Sequence, residues 1–471
     1  DMFAELEAGR MLTYLASDMI DKKKSSIKYA TMAKVQSTEA ASQISMQTLQ
    51  ILGNLGYVGS SDFANMIKVA INGQIKGGTN RVQKNQIYQF MLKKIMEKID
   101  AILNKVVETE TALSVEEAAY LFECNEKRDI ELIKNAADTV RNNIAGNKVS
   151  YIINLNVNFT NICESICLFC GYRRSENDPD SFILNFDEFQ DRLDSFVKDG
   201  ISEVCLQGGL FSKIKIPGLK STNVLDIYAE LIEKIKSRYP EIHIHAYSPD
   251  EIEFVSLISG KKISYILEYF KDVGLDSMPG TAAEILDDGI RAIICPKKLN
   301  TAKWIEIIKL AHKLKIPTTS TIMFGHLESA FHRAKHLEIL RNIQIETSGF
   351  TEFIPLPIVA TKTLLSQKVT PLTGIDRLKM LAISRLFFKN LIPNIQASWV
   401  KQGIDETSES LDWGVNDVGG TLGDERITLE AGGNHGRMVS KEILIGLIKA
   451  KGKEPVLRDT LYNYIKEPVH S

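Results

Sequence analysis

Three cysteines within eight residues constrain this chain more than any other feature of it. The stretch Asn158-Phe-Thr-Asn-Ile-Cys163-Glu-Ser-Ile-Cys167-Leu-Phe169-Cys170-Gly-Tyr172 spaces them C-x3-C-x2-C, with an aromatic residue directly before the last. Thiolates are the standard ligands of iron–sulfur clusters, and three of them on a four-iron cube leave one iron without a protein ligand. That iron can chelate the amino and carboxylate groups of S-adenosylmethionine (SAM). An electron from the cluster then breaks the sulfonium C–S bond and releases a 5′-deoxyadenosyl radical. A structural zinc loop asks for four protein ligands, and no fourth Cys or His follows nearby. The spacing therefore predicts a tight loop holding a 4Fe-4S cluster on Cys163, Cys167 and Cys170, with Phe169 beside the cofactor.

From Asn158 onward the chain resembles the radical SAM superfamily. The pattern that follows suits it. Apolar strand-like runs stand at Tyr151–Val157, Glu203–Leu206, His243–Ala246, Ser277–Met278, Thr318–Met323, Thr351–Pro355, Asn394–Ala397 and Asn416–Gly419. Helical patterns lie between most of them, such as Leu225–Ser237, Tyr265–Val273, Ala302–Leu314 and Asp376–Lys389. Strands alternating with helices argue for parallel pairing, and eight such units argue for a (β/α)8 barrel with its site at the strands' C-terminal ends. The expected fold is thus α/β, a TIM-like barrel over residues 149–471, preceded by a helical connector (99–148) and an all-α segment (1–98). In the connector, Ser114-x-x-Glu117 is a capping box opening a helix through Phe122. A second helical pattern runs from Arg128 to Arg141 and closes at Gly146.

Polar residues gather where those strands end. Gln207-Gly208-Gly209 offers backbone free of side chains, able to hydrogen-bond the methionine amine of SAM. Glu284 is a candidate for its ribose hydroxyls or amino group, and Arg291 for its carboxylate. His243 and His245 alternate onto one strand face, as a packed pair, a metal site or a substrate contact. Glu352, Asn394, Gln396, Asn416 and Asp417 complete a ring suited to a substrate rich in hydroxyl and imide groups.

Taken together these blocks resemble one branch of the superfamily over about residues 99 to 450: the 5-amino-6-(D-ribitylamino)uracil–L-tyrosine 4-hydroxyphenyl transferases, or FO synthase subunit 2 family. The resemblance implies that the adenosyl radical attacks L-tyrosine, whose Cα–Cβ bond breaks. The 4-hydroxybenzyl fragment then adds to C5 of the ribityl-uracil, on the way to the deazaflavin of coenzyme F-420. Since the chain has one cysteine triad, a separate subunit 1 type radical SAM enzyme would close the ring, and a reductant protein would supply electrons. A sibling branch in the futalosine route to menaquinone shares the triad. It tends to have Trp where Leu356 stands and Gly-Ser-Thr where Gly419-Gly420-Thr421 stands.

Residues 1–98 read as helix almost throughout, broken at Gly77-Gly78, with Ser60 or Ser61 able to cap a third helix. They resemble the C-terminal helical domain of acyl-CoA dehydrogenases through Ala8-Gly-Arg10-Met-Leu-Thr-Tyr14, Ala33-Lys34, Thr48-Leu-Gln50-Ile-Leu-Gly-Asn-Leu-Gly56-Tyr57 and Gly77-Gly-Thr79-Asn-Arg-Val-Gln83. In that family the positions of Gln50 and Thr79 help to hold flavin. The common catalytic glutamate is here Gly77, and that family's other two domains are absent. A helical appendage or fusion remnant is expected, not a flavin enzyme.

A formal net charge of −2 gives no electrostatic case for nucleic acid or an anionic membrane, and no apolar run approaches a bilayer span. There is no signal-peptide pattern, and because the chain opens on Asp1 the natural start is expected ahead of it. The other cysteines, Cys124, Cys205 and Cys295, are scattered, which fits a reducing cytoplasm.

Overall fold

The computed structural model describes residues 2–57, 62–109 and 111–465, the side chains of 57, 64 and 92–96 excepted. It divides into two compact units, Asp1–Ala101 and Ile102–Ser471.

The first unit is helical: Met2–Asp21, Ile27–Leu52, the short turn Asn54–Tyr57, Asp62–Ile75, and the start of Asn80–Glu108. The expected Gly77-Gly78 break is a turn with φ of 67° and 87°, a conformation glycine adopts at no steric cost. Lys34 ties that turn down, its Nζ reaching the carbonyl of Gly78 at 2.8 Å and Asn80 Oδ1 at 2.6 Å. Several large apolar side chains stay exposed here, among them Leu55 (86%) and Ile51 (74%). The Ser60 and Ser61 cap lies outside the described residues.

The second unit is an α/β barrel. Its strands are β1 (Lys148–Ile152), β2 (Asn154–Asn158), β3 (Glu203–Gln207), β4 (His243–Ala246), β5 (Thr318–Phe324), β6 (Phe350–Pro357), β7 (Asp417–Gly420) and β8 (Glu454–Leu457). Parallel pairing runs β2–β3–β4, passes through single bridges at Ser277 and Met278 to β5, and continues to β6. Bridges at Ile395 and Gln396 lead to β7, which pairs with β1 and closes the ring. Two of the eight expected strands are therefore reduced to single bridges. The run expected as one strand, Tyr151–Val157, is split at Ile153 into β1 and β2. β8, which sequence reasoning missed, pairs with the other side of β1. It feeds Arg458, only 2% exposed, into the barrel.

The helices follow their amphipathic patterns closely, as in Val224–Arg238, Ile263–Asp272, Thr301–Lys313 and Gly374–Phe388. The Ser114–Glu117 capping box forms and opens Val115–Glu123. That helix is held to the barrel by Lys379, whose buried ammonium donates to the carbonyls of Phe122 and Cys124 at 2.9 and 2.8 Å. A cation at a helix C-terminus satisfies carbonyls that have no partner within the helix. No helix among the described residues is long and apolar enough to cross a membrane.

Candidate active site

The strands' C-terminal ends open into a cavity of about 440 Å³. The loop after β2 brings Cys163, Cys167, Phe169 and Cys170 to its wall. Two features hold the loop. Cys163 Sγ accepts the Leu210 N–H at 3.4 Å, and the Arg174 backbone accepts the Cys163 N–H at 3.0 Å while donating to the Asn161 carbonyl at 2.8 Å. The glycine pair after β3 packs against it so closely that a Cβ on Gly209 would lie 2.1 Å from the Ile162 carbonyl oxygen, and one on Gly208 2.3 Å from the Phe159 ring. These glycines are needed for close approach. Their N–H groups are already used, donating to Glu251 and to the Thr160 carbonyl. Both glycines line the cavity, and no group among the described residues donates to their carbonyls.

The donor set fits a cluster better than a single ion. Among the described residues no three Cys, His, Asp or Glu side chains surround one metal position, whereas a four-iron cube spreads its ligands over its corners. Burial pushes the Cys163 thiol up and the Cys167 thiol up to about 12. Such thiolates form when cationic iron compensates the lost solvation. Beside them stands Lys298, which sequence reasoning missed, its side chain half-buried. Its Nζ lies 2.9 Å from Glu284 Oε1 and 5.9 Å from the centre of the Phe169 ring. Burial works against the Glu284 carboxylate, but the Lys298 charge and hydrogen bond, with Arg291 and His326, hold it below the ordinary range.

Arg291 stands elsewhere. It is 3% exposed, does not line the cavity, and is spent on the carbonyls of Ala282, Ala283, Ile285 and Leu299. It shapes the loop carrying Glu284, and is not placed to meet a SAM carboxylate. Four further expected contacts are also outside the cavity lining. Asn416 accepts from Arg385 at 2.5 Å and from the Ile395 N–H at 2.9 Å, and donates to Asn394. Asn394 in turn donates to the Thr351 carbonyl. Asp417, fully buried, takes the Arg458 guanidinium through both oxygens and the Ser150 hydroxyl. His243 meets the Ser277 hydroxyl at 2.7 Å. His243, Asn394 and Asn416 stitch the seams where strand pairing is reduced to single bridges, while Asp417 ties β7 to β1 and to Arg458.

His245, Gln207, Glu352 and Gln396 do line the cavity. His245 shares Ser277 with His243, at 2.7 Å, so the two rings occupy one face as alternation predicts, and burial holds His245 neutral, down to about 4. Glu352 accepts from Gln396 Nε2 at 2.9 Å and from the Tyr462 hydroxyl, and burial raises its carboxyl to about 7. Glu251, which sequence reasoning also missed, is raised to about 7 by burial while it accepts from Ser248 and the Gly208 N–H. The asparagines of β2, Asn154, Asn156 and Asn158, line the same cavity and gave no signal beyond a strand.

Comparison with known proteins fits this geometry. The Radical SAM superfamily model matches residues 157–340, and the CofH/MqnC C-terminal region model matches 347–471. A curated 5-amino-6-(D-ribitylamino)uracil–L-tyrosine 4-hydroxyphenyl transferase of Methanocaldococcus jannaschii is 46% identical, the match covering 76% of this chain and 98% of that protein. The chain belongs to that family. The enzymes of that name from Methanothermobacter thermautotrophicus (43% identical, 75% of this chain, 95% of theirs) and Trichormus variabilis (41%, 79%, 96%) place it there equally. The C-terminal model is shared by two branches, so the transferase relatives and not that model favour this one.

Solved structures confirm the fold. Methylornithine synthase (PylB) aligns with a TM-score of 0.58 at 17% identity, over 75% of this chain and 97% of its own. The hydrogenase maturase HydG from Carboxydothermus hydrogenoformans aligns with 0.61 at 15%, over 80% and 83%. Residues 1–92 match the acyl-CoA dehydrogenase C-terminal domain model.

Proposed function

We propose that this transferase family member joins the 4-hydroxybenzyl group of L-tyrosine to C5 of 5-amino-6-(D-ribitylamino)uracil, the step that makes the precursor of the deazaflavin FO. The observation that carries this reading is that the transferases named above are matched over 95–98% of their length. Cys163, Cys167 and Cys170 would hold the 4Fe-4S cluster, which with SAM supplies the radical that starts the reaction.

The chain's own groups do the rest. The Gly208 and Gly209 carbonyls and the Lys298–Glu284 pair offer complementary charges to the amino-acid end of SAM. Phe169 walls the cluster side and excludes water. Deeper in, Glu352, with its carboxyl raised to about 7, can hold or pass a proton near neutral pH, and Gln396 and Tyr462 fix its orientation. Neutral His245 presents an imidazole rather than a cation to the substrate. Ring closure falls to a separate radical SAM enzyme, and electrons to a reductant protein.

The test is anaerobic turnover of the reconstituted, reduced enzyme with SAM, the aminouracil and ring-labelled tyrosine. The label should appear in an aminouracil adduct, together with 5′-deoxyadenosine. SAM cleavage with no labelled adduct would remove the assignment.

A further inference from the structure

The polar face along β2 is only partly used by the fold. Residues two apart on a strand share a face. The register sets Asn154 beside Glu203, Asn156 beside Cys205 and Asn158 beside Gln207, all lining the cavity. Asn154 is saturated, donating to Glu203 at 2.9 Å and accepting the Leu422 N–H at 2.9 Å. Asn156 uses only its oxygen, which accepts from Gln207 Nε2 at 3.2 Å. Asn158, nearest the cluster loop, is 7% exposed, and neither end of its carboxamide has a partner.

A buried carboxamide with nothing to bond forfeits its hydration without return. The carboxamides of Asn154 and Asn156 are tied into the fold, whereas that of Asn158 is left for something the cavity receives. We propose that Asn158 and Asn156 together read the imide edge of a pyrimidine-2,4-dione. The Asn158 oxygen accepts the ring N3–H, its amino group donates to one flanking carbonyl, and the unspent amino group of Asn156 donates to the other. This donor–acceptor–donor face complements the acceptor–donor–acceptor edge and carries no charge, as a neutral heterocycle requires. Gripping that edge turns the opposite C5–C6 edge, where the new bond forms, toward the open cavity. The assignment rests on the aminouracil reading above and adds how the ring is held.

The experiment compares adduct formation from the aminouracil and from its N3-methyl analogue, which loses the donor and blocks the edge. It uses full-length reconstituted wild type, Asn158→Leu and the conservative Asn158→Gln. Iron content and equilibrium SAM binding report whether each site is assembled. Wild type should prefer the parent by about 100-fold in kcat/KM, because a site built for hydrogen bonds rejects a ligand that cannot make them. In Asn158→Leu the preference should fall below about fivefold, chiefly through a raised KM for the parent, and Asn158→Gln should restore part of it. Should Asn158→Leu load no iron, Asn156→Ser, which removes the second donor along with the oxygen that Gln207 uses, carries the same comparison. An assembled Asn158→Leu that keeps the full preference, or that loses SAM binding instead, overturns the subsite alone. Wild type that forms no adduct from the parent overturns the functional reading, and the subsite with it.

Discussion

Lys298 and Glu284 form an ion pair inside the cavity, Nζ to Oε1 at 2.9 Å, with side chains 15% and 14% exposed. Asp250, at 3.9 Å, is the next carboxylate to Lys298. Removing one partner of a buried pair strands the other's charge, at a cost of about 3–5 kcal/mol. Lys298→Met should therefore lower the thermal midpoint markedly, and the double variant Lys298→Met/Glu284→Gln should recover much of it. Calorimetry on the three proteins checks this. Equal destabilisation by the single and double variants would show that the pair is not coupled.

Gly209 packs closely against the start of the cysteine loop. A Cβ there would sit 2.1 Å from the Ile162 carbonyl oxygen and 3.1 Å from Cys163 Cβ. Gly209→Ala must displace the loop, an overpacking cost of about 1–3 kcal/mol. It should lower iron content per chain far more than helix content. Full iron loading would contradict the tightness of that contact.

Cys167→Ala should remove iron and SAM cleavage while the circular dichroism spectrum stays native-like, because the loop lies at the cavity mouth and not in the barrel core. Retained SAM cleavage would remove Cys167 from the ligand set.

Stability should depend on pH through His336, whose pKa burial lowers to about 3. The fold uses the neutral ring at both nitrogens: Nδ1 accepts the Leu286 N–H at 3.0 Å and Nε2 donates to the Thr321 carbonyl at 2.9 Å. The unfolded chain takes up this proton near pH 6.5 and the folded chain does not until about 3. The contribution is thus present above the unfolded value and lost as pH falls through that window, at about 1.4 kcal/mol per unit. The stability gap between wild type and His336→Gln, measured by urea unfolding, should shrink from pH 6.5 downward. A gap independent of pH would contradict a neutral buried ring.

A chain beginning at Ala101 should fold and turn over at a comparable rate, since Ile102–Ser471 is a compact unit by itself and three-quarters of this chain accounts for nearly the whole of its relatives. Insolubility, inactivity, or tightly bound flavin in the full-length protein would make the helical unit part of the enzyme.

The barrel was legible because its strands and helices carry distinct apolar periods, and the cluster loop because ligand spacing is local. β8 was not, because Glu454-Pro-Val-Leu457 is too short to show a period and is held by its pairing with β1. Lys298 reads as a solvated lysine in Pro-Lys-Lys-Leu, and only the fold buries it against Glu284. Arg291, Asn394, Asn416 and Asp417 misled for the converse reason. A polar residue near the strands' C-terminal ends serves either a ligand or the fold's own polar groups, and sequence does not say which. Asn156 and Asn158 passed as ordinary strand residues because which polar groups lack partners becomes visible only in three dimensions.

The function is decided most directly by which substrate the reduced enzyme consumes. Side by side, one reaction receives SAM, tyrosine and 5-amino-6-(D-ribitylamino)uracil, and the other SAM and dehypoxanthine futalosine. We predict a hydroxybenzyl adduct in the first, dependent on tyrosine, and no conversion in the second. Turnover of dehypoxanthine futalosine with no adduct from the tyrosine mixture would contradict it and move the chain to the menaquinone branch.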